Sequence, residues 1–436
     1  MNLFQKVIYF FLTLNLIIFH VICQGIPSPR YEQASSLVGT RLYFFGGVIN
    51  TTTINEVWYL DLSNFISTST LQWKSDVSMT VGYNLGASCV NPIDNSTVYL
   101  VGGRSFNTNN YLNTSSIYVF NSKNSQWSTL NITGFNNSFI ARNELPVIIN
   151  NNGKIFLFGG RKLEINVAPL FNDINILDTT TMIWSTPVIS QNVPTPRGDH
   201  AAVLLPTGII IYIGGYNLVS SINSAISLNE IQLFDTNSLS WTTRSAGGNS
   251  IDGRLGHSVI LIQNGNIILY GGSIGSNLGS QALPDLAVLD TNIWEWSIPS
   301  ISQLNAPPPL TFHSAVLYKF YMIISFGRIT TATNLTLNGN IYIFDTINYV
   351  WVTNLNSIIP STTSTVTTAT SKVSTKTSHT TQTTVNSNSS SNNVNYGLII
   401  GISVAAGAVG IAILSFCGMK IYKNRLQRKT VATPGH

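Results

Sequence analysis

Residues 196–215 read PRGDHAAVLLPTGIIIYIGG, and residues 233–241 read LFDTNSLSW. The first stretch begins with an arginine and a histidine, continues in two apolar runs and ends on a pair of glycines. The second stretch is a short apolar run that ends in Asp235, with Trp241 six residues later. Alternating apolar residues interrupted by Gly, Asn and Asp predict short antiparallel β-strands.

These two stretches belong to a unit that repeats along the chain. The glycine pair recurs in steps of 55 to 57 residues, at Gly46-Gly47, Gly102-Gly103, Gly159-Gly160, Gly214-Gly215 and Gly271-Gly272, with Phe326-Gly327 as a degraded sixth copy. Tryptophans recur with it, at Trp73, Trp127, Trp184, Trp241, Trp296 and Trp351. Such a period indicates a repeat architecture, in which we assign the glycines to close backbone approach and the tryptophans to packing between units.

The unit resembles the Kelch repeat, whose pattern is an Arg-x-x-His start, a double glycine, an acid and a tryptophan. Arg197 with His200 and Arg254 with His257 fit the pattern fully. Other units depart from it, since Gln33 replaces the histidine of the first, Asn84 the arginine of the second, and Leu310 the arginine of the sixth. The resemblance covers residues 26–355 and implies an all-β fold, a six-bladed Kelch-type β-propeller with four strands per blade.

The regions outside the repeats predict a membrane-anchored protein. We divide the chain into a signal peptide (1–23), a propeller ectodomain (24–355), a disordered Ser/Thr-rich stalk (356–396), a transmembrane helix (397–419) and a basic cytoplasmic tail (420–436). Lys6 followed by an apolar run is typical of a secretory signal, with a retained anchor as the alternative. An uncharged run long enough to span ~30 Å of hydrocarbon, followed by basic residues only, predicts a single-pass type I plasma-membrane protein.

The stalk is either O-glycosylated or an unmodified linker. Small residues four apart in the apolar run, Gly397 with Gly401 and Ala406 with Gly410, favour a weak homodimer through the membrane helix. Seven sequons predict N-glycosylation, at Asn50, Asn95, Asn113, Asn131, Asn136, Asn334 and Asn388.

The charge distribution argues against a nucleic-acid partner. The whole chain has a formal charge of +5, but the 24–355 region holds only 14 of the 22 basic residues and all 17 acidic ones. Cys89 is the single cysteine of this region, which excludes a disulfide framework within it, and its apolar surroundings predict a buried thiol. The expected partner is therefore an extracellular glycan or protein.

Seven arginines are expected on one face of the propeller, which we call the arginine face. Four stand where a first strand begins and three directly follow a glycine pair: Arg30, Arg142, Arg197 and Arg254, then Arg104, Arg161 and Arg328. An antiparallel blade brings both positions to the same end, and loops at such an end commonly carry binding sites. The alternative is that these arginines pair with Glu32, Glu144, Asp199 and Asp252 and brace the blades.

The function predicted from these features is binding or adhesion at the cell surface. The resemblance also includes galactose oxidase, a copper enzyme with a cysteine–tyrosine cross-link, so an anchored carbohydrate oxidase is the alternative. A structural wall protein is a third class. His200, His257 and His313 occupy equivalent positions of three successive units, a spacing that suits blade packing rather than the short bonds of one metal. We therefore predict no cofactor, no metal and no catalytic residue.

Overall fold

The described residues form six sheets arranged as the blades of a β-propeller, each built on four antiparallel strands, with a short fifth strand added in blades 2 and 5. The computed structural model describes residues 25–355, except 65–66, 108–109, 113–116, 140–141, 163–168, 220–221, 276–279 and 332–333. The predicted all-β, six-bladed fold is confirmed. The predicted signal peptide (1–23), stalk, membrane helix and tail lie outside the described residues. In the ranges given above, no helix has the length and apolar character needed to cross a membrane.

Each blade consists of four strands that are consecutive within one repeat and adjacent in its sheet. Blade 1 contains Ala34–Val38, Arg41–Phe45, Val57–Asp61 and Trp73–Asp76. Blade 2 contains Gly82–Val90, Thr97–Asn107, Tyr118–Asn121 and Gln126–Thr129. Blade 3 contains Val147–Ile149, Lys154–Phe158, Ile174–Asp178 and Ile183–Ser185.

The second half of the chain repeats this order. Blade 4 contains Ala201–Leu204, Ile209–Ile213, Glu230–Asp235 and Ser240–Ser245. Blade 5 contains Ser258–Leu261, Ile267–Tyr270, Leu286–Asp290 and Glu295–Ser297. Blade 6 contains Ser314–Tyr318, Tyr321–Ser325, Ile341–Asp345 and Val350–Val352.

Short strands and turns decorate the blades. Two hairpins follow glycine pairs, Val48–Ile49 with Thr52–Thr53 and Tyr216–Val219 with Ile222–Ala225. The remaining short strands are Asn110–Leu112, Arg142–Asn143 with Arg161–Lys162, Leu310–Thr311 with Arg328–Ile329, and Gly247–Gly248 beside the last strand of blade 5. Two 3₁₀ turns cover Leu62–Asn64 and Asn137–Phe139. Several of these pairs build the arginine face.

The first strands of the blades form the wall of a central channel. Each contacts the first strand of the next blade, and that of blade 6 contacts that of blade 1, so the ring is closed. The apolar core is divided into six clusters, one between each pair of neighbouring blades. One repeat tryptophan packs in each cluster; Trp127 is half-buried, whereas Trp73, Trp184, Trp241, Trp296 and Trp351 are buried.

The glycine pairs connect neighbouring blades through their backbone. Gly215, with φ of +86°, donates its N–H to the carbonyl of Arg254 in the next blade at 2.9 Å. A Cβ on Gly214 would lie 2.7 Å from Cε1 of His257, so this glycine makes room for the histidine of the next blade. The same backbone bond joins Gly47 to Tyr83, Gly160 to Arg197, Gly272 to Leu310 and Gly327 to Arg30.

The second repeat has a register one residue away from the one predicted. Tyr83, rather than Asn84, holds the position of the repeat arginine, because its carbonyl accepts the bond from Gly47. Gly86 holds the histidine position, and a Cβ there would lie 1.9 Å from the Tyr83 hydroxyl. A tyrosine packed over a glycine thus replaces the arginine and histidine of the other repeats.

The glycine pair gives a matched test of the close backbone approach between the end of a blade's second strand and the start of its first strand. Gly215→Ala would place a Cβ 2.5 Å from the carbonyl oxygen of Gly198, which requires the backbone to move. Gly39 has a similar φ of +61° but nothing within 4 Å of a Cβ. Gly39→Ala should therefore cost only the ~1–2 kcal/mol of left-handed strain, and Gly215→Ala clearly more. Denaturant midpoints measure both, and equal losses would contradict the close approach.

Candidate binding site at the channel mouth

Four of the seven predicted arginines are fully buried. Arg30, Arg142, Arg197 and Arg254 each have a relative exposure of 0%. Arg142 donates to the carbonyl of Gly159 at 2.9 Å and to Asp173 at 2.7 Å, with its guanidinium 3.5 Å from the ring centroid of Phe171. These side chains lie inside the blades, below the surface of the arginine face.

The other buried arginines are held mainly by backbone carbonyls. Arg30 bonds Gly46 O and Glu56, while Arg254 bonds Gly271 O, Leu283 O and Pro284 O. Burial lowers the pKa of Arg197 and of Arg254 to about 10. The bracing alternative describes these four residues, but not through the side chains of Glu32, Glu144, Asp199 and Asp252; Arg254 donates to the backbone carbonyl of Asp252 at 3.0 Å.

The other three arginines are partly exposed. Arg104, Arg161 and Arg328 directly follow glycine pairs in blades 2, 3 and 6. Arg104 reaches Glu144 at 3.3 Å, and Arg161 donates to the hydroxyl of Tyr216 at 3.2 Å. Tyr216 in turn donates to Glu144 at 2.6 Å. Only three guanidinium groups of the arginine face are therefore accessible. Arg104 contacts the Glu144 carboxylate directly, and Arg161 is linked to it through Tyr216.

Six equivalent residues form a closed circle of hydrogen bonds where the first strands begin. We call it the mouth ring; in blade order its members are Glu32, Leu85, Glu144, Asp199, Gly256 and Phe312. Each has a positive φ, between 50° and 64°. Each donates its N–H to the carbonyl of its counterpart in the preceding blade at 2.8 to 3.3 Å, and Glu32 closes the circle on Phe312.

Three carboxylates of the mouth ring lie close to one another. Burial, with the nearby Glu144 as a smaller cause, raises the pKa of Glu32 to about 7, although Asn84 and Arg104 oppose the shift. Burial also raises the pKa of Asp199 well above its usual value, and Glu144 and Glu32 add to this. Glu32 and Asp199 of the mouth ring therefore keep a proton at pH values at which ordinary carboxylic acids are ionised.

Two cavities share the mouth ring. The outer one, the vestibule, has a volume of about 230 Å³ and is lined by Arg104, Arg161 and Tyr216 besides ring residues. The deeper one, the chamber, has a volume of about 150 Å³ and is lined by ring residues with Gln33, His200, His257 and His313. Burial lowers the pKa of His257 and of His313 to about 3, so the chamber histidines are neutral. The site thus has cationic groups outside, carboxylates at its neck and neutral acceptors inside.

The residues considered for an oxidase lie elsewhere. Cys89 is buried between blades 2 and 3, and burial raises the pKa of its thiol. Tyr99 lies directly opposite it on the neighbouring strand, a partner that sequence reasoning did not identify. In the part of the chain that the structure describes, no three His, Cys, Asp or Glu side chains are placed to hold a metal ion. His313 instead shares a hydrogen bond of 2.8 Å with Ser258 of the preceding blade.

The sequons differ in accessibility. Asn50, Asn95, Asn131 and Asn334 are exposed, whereas Asn136 is half-buried and bonds Thr186. Asn113 and Asn388 lie outside the described residues.

Sequence reasoning did not recognise the mouth ring, although part of its pattern is visible. An acid stands two residues after the repeat arginine in three units, at Glu32, Glu144 and Asp199. The other three members, Leu85, Gly256 and Phe312, share no residue type with them. The common property is a left-handed backbone conformation, which the sequence does not display for residues such as leucine and phenylalanine.

Known proteins share this repeat. The family described as the KLHDC2/KLHL20/DRC7 Kelch-repeats domain matches residues 65–272 and 207–388. Acyl-CoA-binding domain-containing protein 5 of Arabidopsis thaliana is 24% identical over 289 residues, 64% of this chain and 41% of that protein. Kelch domain-containing protein 3 of Rattus norvegicus is 28% identical over 257 residues, 56% of this chain and 64% of that protein. The chain thus spans less than two thirds of the length of these relatives.

The raised pKa of Glu32 predicts how stability depends on pH. A carboxyl group whose folded-state pKa exceeds its unfolded value stabilises the fold at low pH, and this contribution is lost as the pH rises through about 7. Glu32→Gln should therefore raise the melting temperature at pH 8 relative to the unmodified chain and change it little at pH 4. Glu295→Gln, at an exposed carboxylate on the last strand of blade 5, is the control. Parallel pH profiles for the unmodified chain and Glu32→Gln would contradict the assignment.

Proposed function

The chain belongs to the Kelch-repeat family, and from this premise we propose that it is a protein-binding module displayed at the cell surface. The observation that carries the proposal is the mouth of the central channel, where accessible arginines surround three carboxylates. This mixed charge is held on a rigid scaffold, because the backbone bonds of the mouth ring fix the positions of its side chains. Preorganised polar groups of this kind lower the entropic cost of binding.

The arrangement favours a protein ligand over a simple polyanion. Arg104, Arg161 and Arg328 would donate hydrogen bonds to carboxylates or carbonyl oxygens of a partner, since a guanidinium donates up to five hydrogen bonds. An anion that passed these arginines would meet Glu32, Glu144 and Asp199 at the neck of the channel. A protein segment with both signs of charge satisfies the two layers together.

Glycosylation would restrict the approach to the mouth. The exposed sequons Asn50 and Asn334 belong to blades 1 and 6, which are neighbours in the ring. Glycans at these positions, and at Asn113 of blade 2, would leave the side formed by blades 3 to 5 open. Arg161 lies on that side, so we assign it the central contact with the partner.

Display at the membrane is the second part of the proposal. It is supported by the signal-like residues 1–23, the uncharged run at 397–419 and the basic residues that follow it. The Ser/Thr-rich stalk would separate the propeller from the bilayer and let the mouth turn toward an adjacent surface.

A charge reversal tests the binding site. Arg161→Glu should weaken saturable binding of the full-length chain to its partners on an array of purified extracellular proteins by tenfold or more, at about 1.4 kcal/mol per tenfold. Arg244→Glu, on the exposed outer strand of blade 4, is the matched control and should change nothing. Both variants should melt like the unmodified chain. Binding that survives Arg161→Glu would move the site off this face, and binding to glycans alone would overturn the protein ligand.

Protease treatment of intact cells tests the topology. External protease should release a glycosylated fragment that contains the propeller, because the stalk lies outside the cell, and should leave a short membrane stub. An epitope tag after His436 should stain only after permeabilisation. Staining of that tag on intact cells would reverse the proposed orientation.

A further inference from the structure

Several hydrogen-bond acceptors at the neck of the channel have capacity to spare. The side-chain carboxylate of Asp199 accepts no hydrogen bond from the residues that the structure describes; its backbone carbonyl accepts the mouth-ring bond from Gly256. The side-chain carboxylate of Glu32 accepts one bond, from Asn84 at 2.6 Å, through a single oxygen. By contrast, Glu144 is already bonded to Arg104 and Tyr216. Asp199 and Glu32 therefore remain open to a donor.

The side-chain amide of Gln33, which lines the chamber, also has an acceptor atom without a donor. Gln33 is only 7% exposed, and its side-chain N–H groups donate to the hydroxyl of Ser314 and the carbonyl of Ser325. Its Oε1 atom is buried and has no donor among the described residues. Gln33 lines the same cavity as Glu32 and Asp199. An unsatisfied buried acceptor costs free energy, which a donor entering the chamber would recover once the Gln33 amide turns its oxygen toward the cavity.

These acceptors converge from opposite sides of the channel. Glu32 and Gln33 belong to the start of blade 1, and Asp199 to the start of blade 4, which lies opposite in a ring of six. A ligand on the channel axis would thus meet acceptors on two sides. It would need several donors that point in different directions and a positive charge to balance the carboxylates.

We propose that the mouth ring binds the ammonium group of a lysine side chain supplied by the partner protein. This inference rests on the proposed binding function of the same face and names the chemistry of its ligand. The lysine stem would pass the vestibule, and its ammonium would donate to Asp199, Glu32 and Gln33. Acidic neighbours of that lysine would pair with Arg104 and Arg161, so the partner segment carries a lysine flanked by acids.

A lysine fits this site better than an arginine. An ammonium is compact and donates three hydrogen bonds that rotate with its stem, whereas a guanidinium presents its donors as a flat fork. Acceptors that are placed around the channel axis therefore suit an ammonium. The chamber behind the neck, with a volume of about 150 Å³, is also walled by neutral histidines that do not repel a cation.

Binding of the ammonium would be coupled to release of a proton. Burial raises the pKa of Glu32 and of Asp199, and the nearby Glu144 adds to both shifts. Arg104 opposes both shifts, and Arg161 opposes that of Asp199. A bound ammonium favours their ionised forms and displaces a proton from them. Affinity should therefore rise with pH through about 7 and fall on acidification.

The test is selection of peptides from a random 12-residue phage library on the full-length chain, immobilised through a tag after His436. Selected pools should contain a dominant lysine at one position, flanked by acidic residues. The double variant Glu32→Gln, Asp199→Asn should lose the lysine preference, whereas Glu295→Gln should retain it. Melting curves of both variants would verify that each is folded.

The outcomes separate this inference from the proposed function. Pools without lysine that still depend on Arg161 would overturn the lysine site and leave the binding function in place. Pools that do not depend on the arginine face at all would overturn both.

The pH dependence gives a second readout for a selected lysine peptide. Its dissociation constant should be about tenfold lower at pH 8 than at pH 6, because one proton is displaced from a group with a pKa near neutrality. The same peptide with acetyl-lysine should bind far more weakly. An affinity that is independent of pH, or unchanged by acetylation, would overturn the ammonium assignment.

Discussion

The contact of a glycine pair with the next blade is the constraint on which the propeller depends, and in five of the six pairs the described residues include a backbone hydrogen bond from the second glycine. The contact requires a close approach, because a Cβ on Gly214 would lie 2.7 Å from Cε1 of His257 and 3.0 Å from the carbonyl oxygen of Arg254 in the next blade. It also requires a positive φ, which glycine adopts without strain. Because the bond from Gly327 to Arg30 is of the same kind, the ring closes through ordinary inter-blade contacts between blades 6 and 1.

The glycine contact also explains where the repeat arginines and histidines lie. Once two blades are this close, the connection between the second and third strands folds back over the arginine, as Phe171 does over Arg142. The guanidinium then satisfies carbonyls that have no strand partner, such as that of Gly159. The repeat histidine fills the space left above the glycines of the preceding blade. The repeat arginines and histidines therefore contribute to packing between the blades, and other residues provide the polar groups that a ligand could contact.

The repeat period, the strand order and the packing of the tryptophans could be predicted from the sequence because they depend on spacing and residue type. The division of the arginine face into buried and accessible arginines could not be predicted from the sequence. Arg30 and Arg161 both stand at the same end of a blade, but only the path of the neighbouring loops decides that one is covered and the other accessible. The register of the second repeat was wrong by one residue because Tyr83 performs the arginine's backbone role with a different side chain. The mouth ring was not recognised because Leu85 and Phe312 adopt a left-handed conformation that their residue types do not announce.

In the mouth ring, the backbone groups serve the fold, and the side chains are available for binding. Its hydrogen bonds use only backbone groups, and Leu85, Gly256 and Phe312 form them as well as the acidic members do. The fold therefore does not need carboxylates at the other three positions, and burial opposes the ionisation of Glu32 and Asp199 by raising the pKa of each. Groups that the structure holds at such a cost, at the entrance of a cavity and in an uncommon backbone conformation, are reasonable candidates for binding. Their restriction to blades 1, 3 and 4 breaks the pseudo-six-fold symmetry of the scaffold, so that one partner segment can be recognised in a single orientation.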